Sequence, residues 1–267
     1  RNQMLPRRFG AHTLTGHEGK VPGPVQTGDT TAYSVGENRT GGVTQSQLAW
    51  VNRTMSAKET AAQSVFSRRL LEVASFNVEQ MARRALLAKH ALLWDATGLF
   101  GSGTDGQPAG VWNCPGVGTV AMGGAITFAK VVDLETSIVD ANVIAEEMAY
   151  ITTPPVRGKA KQTLVASSAG SAMVWTGGGA VGEMNGYRAG ATKQVSRTLG
   201  GGANEHGILF GWWNALIYGF WGALNFMVDD SSATVAANGQ VVITTNQLGD
   251  VLVSRPEAFS IGTGLTA

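Results

Sequence analysis

Apolar positions recur at helical spacing most clearly between residues 78 and 97, where Val78, Met81, Ala82, Ala85, Leu86, Leu92, Leu93 and Ala96 follow a 3.6-residue repeat. The start of this run is well marked. Asn77 is placed to cap the first turn, Gln80 stands three residues on, and Phe76 and Met81 flank the entry as a hydrophobic staple requires. Glu79 and Arg83 stand four apart in the favourable order, and Gly98 follows as the expected stop. The pattern predicts a helix over 78–97, a rod of about 30 Å. A shorter helix over 67–74, with Leu70, Leu71 and Val73 as its apolar contacts, is expected just before it.

Upstream the periodicity disappears. Residues 1–25 carry Pro6, Pro22 and Pro24 with His12 and His17, and read as an extended N-terminal arm that orders on a partner. Residues 26–57 hold two polar, strand-like runs, Thr30 to Val35 and Val43 to Met55, around the turn-forming segment Gly36 to Gly42. A 13-residue return strand spans roughly 40 Å. Thr44, Gln45, Ser46, Gln47, Asn52, Arg53 and Thr54 give it little to bury, and two strands alone are marginal in water, so this extended hairpin is expected to lie over a neighbouring copy.

Downstream of a glycine-rich turn over 98–110 the pattern is mixed. Thr127 is a candidate cap for a helix with Phe128, Val131, Val132, Ile138 and Val139 on one face. Ile144 to Ile151 reads as a short helix ended by Pro154-Pro155, while 208–210 and 216–221 are apolar enough for buried strands or a packed helix. From Leu224 the period falls to two, through Phe226, Val228, Val241, Ile243, Val251 and Val253, with Asn238-Gly239 as a turn. This predicts an antiparallel sheet that returns to pack on the long helix. The fold class is therefore α+β, with an α+β unit inserted into a discontinuous domain. The expected division is 1–25 arm, 26–57 hairpin, 58–122 first part of the outer domain, 123–223 inserted unit and 224–267 returning sheet.

Composition narrows the chemistry. Only 15% of the 267 residues are charged, against roughly 25% in an average soluble domain, while 36 are glycine. A surface so poor in charge is suited to meeting other protein. The net charge is +1 and no stretch concentrates Lys and Arg, which argues against sequence-specific DNA reading. Cys114 stands alone, so an intrachain disulfide is excluded and a small core residue is expected. No window reaches the ~18 apolar residues of a membrane span.

Catalytic signals are weak throughout. Gly98 to Gly106 follows a helix instead of a strand and lacks a closing Gly-Lys-Ser or Gly-Lys-Thr, so it reads as a connector and not a phosphate cradle. His12, His17, His90 and His206 are isolated from other ligand-type residues, and Glu146-Glu147 is most simply a solvated helical face. Asp229-Asp230 before Ser231-Ser232 has the chemistry of a cation site, but the same residues close turns, and the turn is the favoured reading. No catalytic residue, cofactor or metal is expected.

The order of elements resembles the major capsid proteins of tailed bacteriophages, the Hong Kong 97-type fold. So do several segments: Val65 to Leu71 followed by Asn77-Val78-Glu79, the glycine-rich run Leu99 to Asn113, Met184-Asn185-Gly186-Tyr187 with Thr192, Gly207 to Trp213, and Asp250 to Val253 with Arg255 to Phe259. Trp212 stands where the family usually has an acidic residue. The resemblance implies a long spine helix, a peripheral antiparallel sheet, an inserted axial domain, an extended β-hairpin loop and an N-terminal arm. It further implies a non-enzymatic homo-oligomer, hexamers and pentamers of an icosahedral phage head assembled in the host bacterial cytoplasm, around double-stranded DNA held without sequence-specific contact. A portal at one vertex and a decoration or cement protein are implied partners, and a membrane is not. Candidate intersubunit contacts are Arg7, Arg8, Glu37, Asn38, Arg39, Arg53, Asp229 and Asp230, and Arg1 is the candidate N-terminus left by maturation cleavage. Some members cross-link through a lysine on the extended loop, but residues 21–57 contain none, so no isopeptide is expected. The rival readings are an encapsulin-like nanocompartment shell and, from another class, an α+β hydrolase or nucleotide-binding enzyme.

Overall fold

The computed structural model describes residues 4–28, 30, 32, 34, 46–73, 77–143, 147–166 and 170–267. Its helices are α1 (Leu5–Arg8), α2 (Arg68–Val73), α3 (Val78–Phe100), α4 (Phe128–Val139), α5 (Pro154–Ala160) and α6 (Ala233–Ala237). Its strands are β1 (His12–Thr15), β2 (Val21–Gly28), β3 (Ala49–Met55), β4 (Lys58–Ser67), β5 (Gly118–Ala125), β6 (Ala149–Thr152), β7 (Trp175–Thr176), β8 (Val181–Met184), β9 (Tyr187–Ala191), β10 (His206–Gly211), β11 (Leu216–Phe220), β12 (Asn225–Asp229), β13 (Gln240–Val253) and β14 (Phe259–Thr266).

Helix α3 starts as its sequence predicts. Asn77 Oδ1 accepts the Gln80 N–H at 2.9 Å, and Arg83 meets Glu79 at 2.6 Å. Phe76, the other half of the expected staple, lies outside the described residues. The helix ends later than expected, running through Gly98 to Phe100. Gly98 is a packing residue, because a Cβ there would lie 2.0 Å from the Tyr218 hydroxyl.

The buried row on α3 is Val78, Ala82, Leu86, His90 and Trp94, whereas the expected core positions Met81, Ala85 and Leu93 are exposed. The cause is the strand beneath. Four helical residues rise about 6 Å, close to the roughly 6.7 Å of a two-residue strand step, so successive helical positions meet alternate positions of β13. Leu86 packs with Ile243, His90 Nε2 lies 2.8 Å from Thr245 Oγ1, and Trp94 Nε1 donates to Gln247 Oε1 at 2.9 Å.

Among the described residues β13 is the axis of a five-stranded sheet ordered β1-β11-β13-β12, with β4 paired along the other side of β13. Strand β4 is absent from the sequence expectations. Its residues are mostly polar, yet Lys58, Thr60, Ala62, Ser64 and Phe66 alternate as half-buried positions against exposed neighbours. Ser67, expected in a helix, closes this strand, and its hydroxyl accepts the Leu70 N–H at 3.2 Å.

A second sheet runs β5-β14-β10-β6-β9-β8-β7, with α4 against β5, β14 and β10. The helix expected over 144–151 is corrected here. Residues 144–146 lie outside the described residues, and Ala149–Thr152 is a fully buried central strand. Pro154 and Pro155 open α5 where they were expected to end a helix: proline lacks an N–H that the first turn leaves unused anyway, and Thr153 Oγ1 accepts the Val156 N–H at 3.4 Å. Thr127 occupies the N-cap position of α4 but makes no side-chain capping bond, and the buried face is Val131, Leu134 and Ile138, with Val139 outside.

Two strands cross the boundary expected at 223/224. β11 pairs with β13 in the first sheet, and β14 leaves the C-terminal segment to insert between β5 and β10. One core consequently joins both sheets, through Trp94, Tyr150, Phe210, Trp213, Tyr218 and Phe259.

The expectation of an extended arm that orders only on a partner is corrected from Met4 to Thr15, which packs on its own chain. Leu5, Phe9 and Ala11 are buried in the chain's own core, and β1 pairs in parallel with β11 from His12↔Ile217 to Thr15↔Phe220. The site that receives them is built from distant residues, so no local pattern reveals it. A Cβ on Gly190 would come within 2.7 Å of Leu5 Cδ2 and 2.9 Å of Phe9 Cε2.

Candidate intersubunit surfaces

Strands β2 and β3 form a separate antiparallel pair, registered from Val21↔Met55 to Gly28↔Ala49. The hairpin exists, but its outgoing strand is 21–28 and not the expected 30–35. Residues 30, 32 and 34 have no regular structure, and 29, 31, 33 and 35–45 lie outside the described residues. Pro22 and Pro24 made this segment read as an arm; in a two-stranded ribbon each strand has an outer edge, where proline leaves no ladder bond unmade. Met55 is buried at the root of the hairpin and Val25, paired with Val51 midway along it, is buried as well, while Leu48, Trp50 (58% exposed) and Val51 are open to solvent.

Among the described residues the candidate contact residues are dispersed over α1, β3 and the end of β12. Arg7 and Arg8 are exposed in the last turn of α1. Glu37, Asn38, Arg39 and Arg1 lie outside the described residues. Arg53 is engaged within its own chain, where Nη1 donates to Cys114 Sγ at 2.9 Å and Nη2 to the Pro115 carbonyl at 3.3 Å. Asp229 Oδ1 accepts the N–H groups of Ser231 and Ser232 at 3.1 and 3.0 Å, and the Ser232 hydroxyl first, then these backbone bonds, hold its carboxyl below the ordinary range. Asp229 thus closes the turn into α6. The Asp230 carbonyl accepts from Arg68.

Surfaces that sequence reasoning missed are apolar. On the first sheet Val65 pairs with Val242 and Met227 with Thr244, the β13 positions that alternate with those facing α3. Val65, Met227 and Leu248 are therefore exposed on the face away from the helix, where Val242 is buried. Leu70, Val73, Met81, Leu87 and Leu93 are exposed along α2 and α3. A strand-period scan for apolar residues on the polar face of β4 and β13 finds the first group.

The glycine-rich run after α3 terminates the helix. Asn113 Nδ2 donates to the carbonyls of Phe100 and Gly101 at 3.2 and 2.9 Å, and Gly110 N–H donates to Gly101 O at 2.9 Å. A Cβ on Gly101 would lie 2.1 Å from the Pro108 carbonyl, so the close approach requires glycine. Among the described residues no group of His, Cys, Asp and Glu is placed to hold a metal ion, and no helix is long and apolar enough to cross a membrane.

The Asp95 carboxyl is strongly perturbed. Asp95 in α3 is 3% exposed, and its Oδ1 accepts the Leu5 N–H at 3.2 Å, tying α1 to the long helix. Burial pushes its carboxyl up to about 7, against the lowering effect of the Leu5 N–H and the Thr192 hydroxyl. The neighbouring Tyr218 hydroxyl is raised well above its ordinary range, by burial first and then by the Asp95 charge.

The model of the phage capsid family matches residues 1–264. The curated major capsid protein of Halomonas phage phiHAP-1 is 32% identical over 261 residues, which are 98% of this chain and 40% of that protein, so the chain spans about two fifths of its relative's length. Among solved structures, the capsid of a native GTA particle superposes with a TM-score of 0.74 at 20% identity, covering 100% of this chain and 91% of that one. A chain of Mycobacterium phage Adephagia gives 0.73 at 12% identity, with coverages of 100% and 91%. The SrpI encapsulin of Synechococcus elongatus PCC 7942 gives 0.69 at 11% identity, with coverages of 98% and 89%. At these identities the structural likeness speaks for the fold alone.

Proposed function

The chain belongs to the phage capsid family, and from that membership we propose that it is the shell-forming subunit of a tailed-phage head, packing with its own copies into hexamers and pentamers around double-stranded DNA. The observation that carries this reading is the hairpin β2–β3, whose Leu48, Trp50 and Val51 are about half exposed among the described residues. Exposed aromatic and aliphatic residues on a projecting ribbon are the groups that a second molecule buries. Ring-closing, head-to-tail contacts let one patch serve every copy. In this reading the first sheet with α3 is the peripheral unit, the second sheet the axial unit, and β2–β3 the extended loop. The expected division at 123–223 stands as a proposal, with β11 and β14 lacing the two units together. Arg7, Arg8, Asp229 and Asp230 are rim contacts, each weak because exposed ion pairs are screened by solvent. Portal and cement proteins are further proposed partners, and no catalytic step is assigned.

The test is the paired variant Trp50→Ser/Val51→Ser. Its circular dichroism and melting should stay close to the parent's, because both side chains are among the large exposed apolar groups and lie outside the core, while shell formation seen by negative-stain microscopy should fail. Shells at parental yield would refute the reading. The encapsulin alternative shares the fold, and it predicts shells filled with protein cargo instead of DNA.

A further inference from the structure

The chain changes sheets at Ser56 and Ala57, where β3 ends in the hairpin and β4 begins in the five-stranded sheet. One carboxylate grips both sides of this corner. Asp250 lies in β13 and is 3% exposed. Its Oδ2 accepts the Ser56 N–H at 2.8 Å, while its Oδ1 meets Lys58 Nζ at 3.1 Å and accepts the Val251 N–H at 2.9 Å. The pairing of β4 with β13 stops one residue earlier, at Lys58↔Gly249. Where the backbone ladder ends, the side chain of Asp250 supplies the next rung.

We infer that Asp250 is a positioning residue that sets the direction in which the hairpin leaves the body, and with it the placement of the surface that meets a neighbouring copy. The inference rests on the docking reading given above. Strand β3 has seven residues, a lever of about 23 Å. A tilt of about 5° at its root moves the far end by about 2 Å, more than close-packed side chains absorb. Between Ala49 and Thr54 only Arg53 is half-buried, and its bonds to Cys114 and Pro115, with the buried Val25 and Met55, are the other restraints on that tilt.

The experiment uses the full chain, with hydrogen exchange measured on unassembled capsomers and shell yield on the same preparations. Asp250→Ala should speed exchange at Ser56 and through residues 49–55 by roughly tenfold, as loss of a buried hydrogen bond does, and should lower shell yield by a similar factor. Asp250→Asn, which keeps an oxygen for the Ser56 N–H, should restore most of both. If Asp250→Ala loosens the whole body, with α4 and β10 also exchanging faster, Lys58→Met decides. Acceleration confined to the corner and hairpin supports the clamp, and unchanged exchange there overturns it. Parental exchange and yield in a folded Asp250→Ala chain overturn it as well. Failure of the docking reading looks different: Trp50→Ser/Val51→Ser then assembles normally, whatever Asp250→Ala does to exchange at Ser56.

Discussion

Replacing Asp95 with asparagine removes a charge that folding forces into the core. The Asp95 carboxyl titrates near 3.8 when exposed and at about 7 in the folded chain. Between those values the native state holds a proton that the unfolded chain has released. Stability from this group is therefore greatest below about pH 4, falls as pH rises toward 7, and is level above that. About three pH units at 1.4 kcal/mol each make the full cost about 4 kcal/mol. Asparagine retains an oxygen for the Leu5 N–H, so the variant isolates the charge from the hydrogen bond. Urea denaturation of unassembled capsomers from pH 4 to 8 should show the parent and Asp95→Asn equally stable at the acid end. At pH 8 the variant should be more stable by up to about 4 kcal/mol, or roughly 8–16 °C in Tm. Parallel profiles across the window would refute the reasoning, because they would mean that the carboxylate loses nothing on burial.

Gly98→Ala places a methyl group against the Tyr218 hydroxyl and should cost about 1–3 kcal/mol by thermal melting; Tyr218→Phe in the same chain should recover part of it. Asn113→Ala strips two bonds from the carbonyls that end α3, with an expected loss of about 1–2 kcal/mol and faster amide exchange at Gly101 and Gly110.

Much of this protein was legible from neighbouring residues alone. The capped start of α3, its length to within a turn, the turn role of Asp229 and the period-two tail all follow from interactions over four residues or fewer. In the run Leu99 to Asn113, Gly101, Gly110 and Asn113 close a helix end together through contacts within thirteen residues of one another. Other elements depended on partners far along the chain. β4 is polar on one face and has no period of its own until β13 pairs with it. Leu5 and Phe9 look like stray apolar residues until Gly190 leaves room for them. Pro154 and Pro155 can end one helix or begin another, and the burial of Ala149–Thr152 in the second sheet decided which. The clamp at Asp250 joins residues 194 positions apart. Local preference reports how a segment folds when only its neighbours matter; which face is buried, which strand is central and where a hairpin points are set by surfaces that come into existence only when distant segments meet.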